Sequence, residues 1–73
     1  MGKATRVTNR IRQLRFAHDE MTQAALAERI GVTRQTVIAI EQGRYSPTLE
    51  TAFLIARVFA VPIDEVFQYP EES

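Results

Sequence analysis

Apolar residues return along this chain at intervals of three and four, and the phase of that repeat breaks repeatedly at a threonine, glycine or proline. Val7, Ile11, Leu14 and His18 share one side of a first helix over roughly Thr8–His18, with Thr8 as its cap. Thr22 opens a second helix whose Leu26, Ala27 and Ile30 face inward, and Gly31 ends it in the left-handed conformation. After Val32, Thr33 caps a third helix that buries Val37 and Ile40 and stops at Gly43. Arg44 to Pro47 form a loop, because proline disfavours helical geometry at Ser46, and Thr48 caps a fourth helix over Leu49–Phe59. Pro62 starts a short fifth helix, Ile63–Phe67, with Asp64 and Glu65 where the helix dipole favours negative charge. From Gln68 the tail is expected to be frayed or extended.

The fourth helix is apolar on two sides. With Leu49 as origin and about 100° per residue, Ala52, Phe53, Ala56, Phe59 and Ala60 fall in one inward arc. Leu54 and Val58 lie at about 140° and 180°, too far round for the same core. Two covers are available for this second stripe: the fifth helix folded back within one chain, or a second copy of the chain. One short helix has little area to offer, so the pattern favours a twofold homodimer through Leu54, Val58, Ile63, Val66, Phe67 and Tyr69.

Two short helices joined by the Gly31–Thr33 turn make a helix-turn-helix, whose second helix enters the major groove of DNA. With Val37 and Ile40 in the core, helical geometry sets Gln35, Ile38, Ala39 and Gln42 on the outward side, and Arg34 is long enough to swing toward the groove. Gln pairs bidentately with adenine and Arg with guanine, so Arg34, Gln35, Ile38, Ala39 and Gln42 form a candidate base-reading set. An ordinary solvated helix face is the plain alternative. For Ile38 the choice lies between a thymine methyl and a chance exposed apolar residue. Gln23, Thr33, Thr36 and Arg44 flank this helix and are candidate phosphate contacts, which position a protein without reading sequence.

The stretch from Thr22 to Gly43, continuing through Arg44-Tyr45-Ser46-Pro47-Thr48-Leu49 and the Phe59-Ala60-Val61-Pro62 turn, resembles the Cro and phage-repressor (XRE-type) helix-turn-helix regulators, in particular their short single-domain bacterial members. The likeness covers about residues 8–69. It implies an all-α fold, a five-helix lambda-repressor-like DNA-binding domain, and a sequence-specific transcriptional regulator of double-stranded DNA, with repression the expected action. It implies the same phosphate role for Gln23, Thr33 and Arg44. It also implies an ion pair between Arg15 and Glu41, two charges at the edges of buried faces, tying the first helix to the third. In similar short regulators the chain ends pair as small strands, which would set Thr5–Val7 beside Phe67–Tyr69. One departure is visible: His18-Asp19-Glu20-Met21 makes the first interhelical loop about one residue longer. His18 itself reads as a partly buried packing residue sooner than a switch.

Seventy-three residues are enough for one domain. A net charge of zero looks wrong for a DNA binder, but it conceals an asymmetry. Through Arg44 there are eight basic residues (Lys3, Arg6, Arg10, Arg12, Arg15, Arg29, Arg34, Arg44) against four acids (Asp19, Glu20, Glu28, Glu41). Beyond it, Arg57 alone opposes Glu50, Asp64, Glu65, Glu71 and Glu72. One half is built for anions, or the charge is merely solvated. With no cysteine and one histidine, neither a zinc site nor a thiol nucleophile can be assembled, so no metal, cofactor or enzymatic activity is expected. Single-strand RNA readers need stacking aromatics, and Phe16 is the only one before Tyr45. No stretch is long enough to span a membrane, and Met1 to Thr8 lack a signal-peptide core, so a cytoplasmic protein is expected. No small-molecule effector is evident. An antitoxin with the same DNA-binding fold is the other reading, although the tail after Phe67 is very short for a toxin-binding surface.

Overall fold

Thr22, Thr33 and Thr48 stand just outside their helices in extended backbone, and each hydroxyl accepts the amide three residues on, from Ala25, Thr36 and Thr51, at 3.0 to 3.1 Å. In this computed structural model, which describes residues 5–71, those caps start three of the five helices. The order is β1 (Thr8–Asn9), α1 (Ile11–Ala17), α2 (Gln23–Ile30), α3 (Arg34–Glu41), α4 (Leu49–Phe59), α5 (Ile63–Val66) and β2 (Phe67–Gln68). Lys3 and Glu72, two of the counted charges, lie outside the described residues, as does the start of the segment Met1 to Thr8.

Gly31 sits at φ 76°, and a Cβ built on it would meet nothing within 4 Å, so the left-handed dihedral alone asks for glycine. The reversal it makes is closed by Val32 N–H donating to the Ala27 carbonyl at 3.0 Å. Past α3 the same closure recurs at Gly43, with Arg44 N–H on the Ala39 carbonyl. Between α1 and α2 the longer loop is met differently. Asp19 and Glu20 both take positive φ, 60° and 52°, and Met21 N–H returns to the Arg15 carbonyl at 2.9 Å.

The chain ends correct the sequence reading. Thr8 does not cap α1 but belongs to β1, which runs antiparallel to β2 with Thr8 opposite Gln68 and Asn9 opposite Phe67. The pairing is therefore not Thr5–Val7 against Phe67–Tyr69. Arg10 N–H donates to the Val66 carbonyl at 2.9 Å and continues the register, while Thr5 is held elsewhere by a 2.6 Å hydrogen bond to Ser46. The side chain serving the start of α1 is Asn9, whose Oδ1 accepts from Ile11 N–H at 3.1 Å. Because Phe67 turns into β2, α5 stops one residue earlier than expected.

The interior gathers Ile11, Leu26, Val37, Ile55, Phe59 and Val66, with Ala27, Ile30, Ile40 and Ala56 around them. Val66 is 0% exposed, so it is a core residue and unavailable to a partner, contrary to its assignment as an interface residue. α4 is also rotated from expectation. Its buried stripe is Ala52, Ile55, Ala56 and Phe59, at i, i+3, i+4 and i+7, and Phe53 lies about 110° from the centre of that stripe. Leu54 and Val58 are half-buried and pack against the same core, so much of the second stripe is covered within the chain. The open side carries Leu49, 70% exposed, Phe53, 54% exposed, and Ala60. His18 packs edge-on to Phe59 at 5.1 Å between ring centroids, yet it is exposed and not partly buried as expected. Among the described residues no helix is long and apolar enough to cross a membrane.

Candidate nucleic-acid interface

The Gly31 reversal sets α3 across α2, and burial of Val37 and Ile40 fixes its rotation. Arg34, Gln35 and Gln42 are then exposed, while Ile38 and Ala39 are half-buried at the edge of the same face. Half burial removes much of the cost of an outward isoleucine and leaves its remaining surface beside Gln35 and Gln42. The free donors and acceptors of two glutamines and one guanidinium thus share the outward side of a two-turn helix, the size and chemistry that the major groove admits.

The flanking residues hold more than one task. Thr33 Oγ1 accepts from Thr36 N–H at 3.1 Å and lies 3.0 Å from Thr36 Oγ1, so one hydroxyl pair caps α3 while staying near the surface. Arg44 is exposed in the loop after α3. Gln23, at the first position of α2, is half-buried, and its Nε2 donates to Glu41 Oε1 at 3.1 Å. That bond orients Gln23 from a residue eighteen positions away.

Glu41 is the joint of the site. Arg15 Nε lies 2.6 Å from Glu41 Oε2 and Arg15 Nη2 3.2 Å from Oε1, a two-point pairing with both side chains about nine-tenths buried. Arg15 Nη1 also donates to the Met21 carbonyl at 2.8 Å, so one guanidinium ties α1, the loop after it and the end of α3. Asn9 joins the same point from the other side: its Nδ2 donates at 3.0 Å to the Ile40 carbonyl, which also accepts from Gly43 N–H. Sequence reasoning passed over Asn9. An asparagine two residues ahead of a helix signals a local turn, but nothing near it in sequence points to the third helix. α3 is therefore clamped at its C-terminal end by Arg15, Gln23 and Asn9.

The sequence pattern of the helix-turn-helix family matches residues 11–66, from the start of α1 to the end of α5. The chain belongs to that family, in its Cro and phage-repressor type. Among its relatives are an uncharacterized HTH-type transcriptional regulator of Methanocaldococcus jannaschii, 45% identical over 89% of this chain and 97% of the relative, and one of Bacillus subtilis, 43% identical over the same shares. The cryptic phage CTXphi transcriptional repressor RstR of Vibrio cholerae is 41% identical over 90% of this chain and 59% of its own length. This helix-turn-helix protein is thus a DNA-binding transcriptional regulator, from a family that is not generally enzymatic.

Of the residues assigned to a subunit contact, Val66 is enclosed and the other five reach the surface to different degrees. Tyr69 is 67% exposed, Ile63 and Phe67 are half-buried, and Leu54 and Val58 are partly inside. The open apolar surface of this regulator runs from a groove lined by Leu49, Glu50, Phe53, Leu54 and Arg57, through Phe53, Ala60 and Ile63, to Ile63, Phe67 and Tyr69, and so takes in Leu54, Ile63, Phe67 and Tyr69 of that set.

Proposed function

We propose that this regulator is a repressor that binds an inverted-repeat operator as a twofold homodimer. Arg34, Gln35 and Gln42 read base edges, with Ile38 and Ala39 making apolar contacts, and Gln23, Thr33, Thr36 and Arg44 hold phosphates. The observation that carries this reading is the outward α3 face, clamped through Glu41, on a domain that also leaves Leu49, Phe53 and Tyr69 open to water. Exposed apolar area of this extent on so small a domain favours self-association. Repression is supported by the likeness to a phage repressor.

Selection of bound sequences from a random duplex pool tests this directly. Inverted repeats with half-site centres about 34 Å apart are expected, one turn of the double helix. Recovery of isolated half-sites, or of no preferred sequence, overturns the reading. A reporter promoter carrying the selected operator should fall in output when the protein is expressed, and a rise would overturn repression.

A further inference from the structure

Phe16 is an aromatic side chain that the core does not use. It stands 53% exposed on α1, next to the cleft that α1 forms with α3 and the start of α2. Two guanidinium groups lie over its ring, Arg12 at 5.5 Å and Arg15 at 5.8 Å from the centroid. Arg15 is committed to Glu41. Arg12 is exposed and, among the described residues, makes no ion pair. A guanidinium laid on a ring uses its face, and its in-plane N–H edges stay free for an oxyanion.

Arg12 and Phe16 line the same cleft as Arg34 and Gln42 of the recognition helix and the oriented Gln23. Among the described residues Glu41 is the one carboxylate in its lining, and Arg15 already neutralises it. What remains is a cleft lined by uncompensated positive charge, Arg12 from α1 and Arg34 from α3. Its sign suits phosphodiesters rather than an apolar or cationic partner.

Resting on the DNA-binding role above, we propose that Arg12, held in place by Phe16, is a phosphate clamp that extends the DNA contact from the recognition helix across the cleft to α1. Phe16 is then a positioning residue. Stacking removes rotamer freedom that a long side chain would otherwise lose on binding.

The test is the salt dependence of affinity for a selected operator duplex between about 50 and 200 mM salt, where each phosphate contact contributes about 0.9 to the log–log slope. Arg12→Ala should weaken binding about tenfold and lower the slope by about 0.9. Arg29→Ala, an equal charge loss from the exposed end of α2 outside the cleft, should leave the slope close to wild type. Phe16→Leu keeps apolar bulk but not the ring's negative face; it should weaken binding severalfold, and Arg12→Ala added to it should cost less than it does alone. Circular dichroism of each variant checks that the fold is kept, as the exposure of Arg12 and Phe16 predicts. If wild type binds steeply with salt and Arg12→Ala keeps the wild-type slope, the clamp is overturned while the function stands. If Phe16→Leu and Arg12→Ala act independently, the positioning role is overturned. A wild type that binds no duplex overturns both.

Discussion

The Arg15 guanidinium meets the Glu41 carboxylate at two points, Nε to Oε2 at 2.6 Å and Nη2 to Oε1 at 3.2 Å. The same carboxylate receives Gln23. Removing it strands a buried cation and releases Gln23, a residue proposed to hold phosphate, together. Glu41→Ala should therefore cost about 3 kcal/mol of stability, lowering Tm by more than about 10 °C, whereas affinity per folded molecule should fall less. The double change Arg15→Met with Glu41→Leu should recover much of that loss, since neither charge is then buried alone. Thermal unfolding followed by circular dichroism reads both, and an unchanged Tm for Glu41→Ala would show that the pair contributes nothing.

The parts of the fold that were legible from the sequence are those decided within one helical turn. Thr22, Thr33 and Thr48 cap, and Gly31 and Gly43 reverse the chain, because each acts on backbone three or four residues away. The parts that were not legible depend on distant neighbours. Thr8 has the composition of a cap, but its strand partner is sixty residues on, at Gln68. The repeat in α4 shows an apolar stripe without its centre, and packing against α2 and α5 sets that centre on the Ile55 side of the expected one, burying Ile55 and leaving Phe53 out. At the candidate site, the outward face of α3 follows from Val37 and Ile40 alone. The hold that Asn9 and Gln23 exert on its far end does not, since both bonds join segments widely separated in the chain.

Ala60 ends α4 at φ 58°, with its N–H on the last carbonyls and Val61 N–H returning to Ala56 at 3.1 Å. A left-handed conformation costs an L-residue about 1–2 kcal/mol, and glycine gives back about 0.4–1 kcal/mol through the unfolded chain. Ala60 is exposed, so losing its methyl opens no cavity. Ala60→Gly should stabilise the protein by about 0.5–1 kcal/mol, read as a raised denaturant midpoint with unchanged slope. A lowered midpoint would mean that the methyl group is needed at a contact.

Gln35 and Arg44 are both exposed but are assigned different work, bases for one and phosphates for the other. Gln35→Ala should lose about 1–3 kcal/mol of discrimination between the operator and a single-base variant. Arg44→Ala should weaken both duplexes alike and lower the salt slope by about 0.9. Competition binding with the two duplexes separates the outcomes. Equal loss of discrimination in both mutants would mean that the division of contacts is wrong.

Val66 and Phe53 make the sharpest pair for testing the dimer, because one apolar residue is fully enclosed and the other stands 54% exposed. In a monomer Phe53 contributes little burial, so Phe53→Asp should leave a folded chain. In a dimer its ring lies on the open surface between Leu49 and Ile63, where Glu50 and Arg57 flank it on the same helix. An aspartate there would have to be desolvated on association, with Arg57 four residues on as a cation and Glu50 three residues before as a like charge, a cost that opposes pairing of the subunits. Sedimentation should therefore find wild type dimeric at micromolar concentration and Phe53→Asp monomeric with a native circular dichroism spectrum. Val66→Asp should instead unfold, since an unpaired carboxylate would enter the core beside Ile11 and Phe59. DNA binding supplies the second readout. A monomer that keeps its α3 face should still bind one half-site and lose the cooperative gain of the inverted repeat, whereas a misfolded protein would lose both. A wild type that sediments as a monomer, or Phe53→Asp that stays dimeric, would remove this face from the subunit contact.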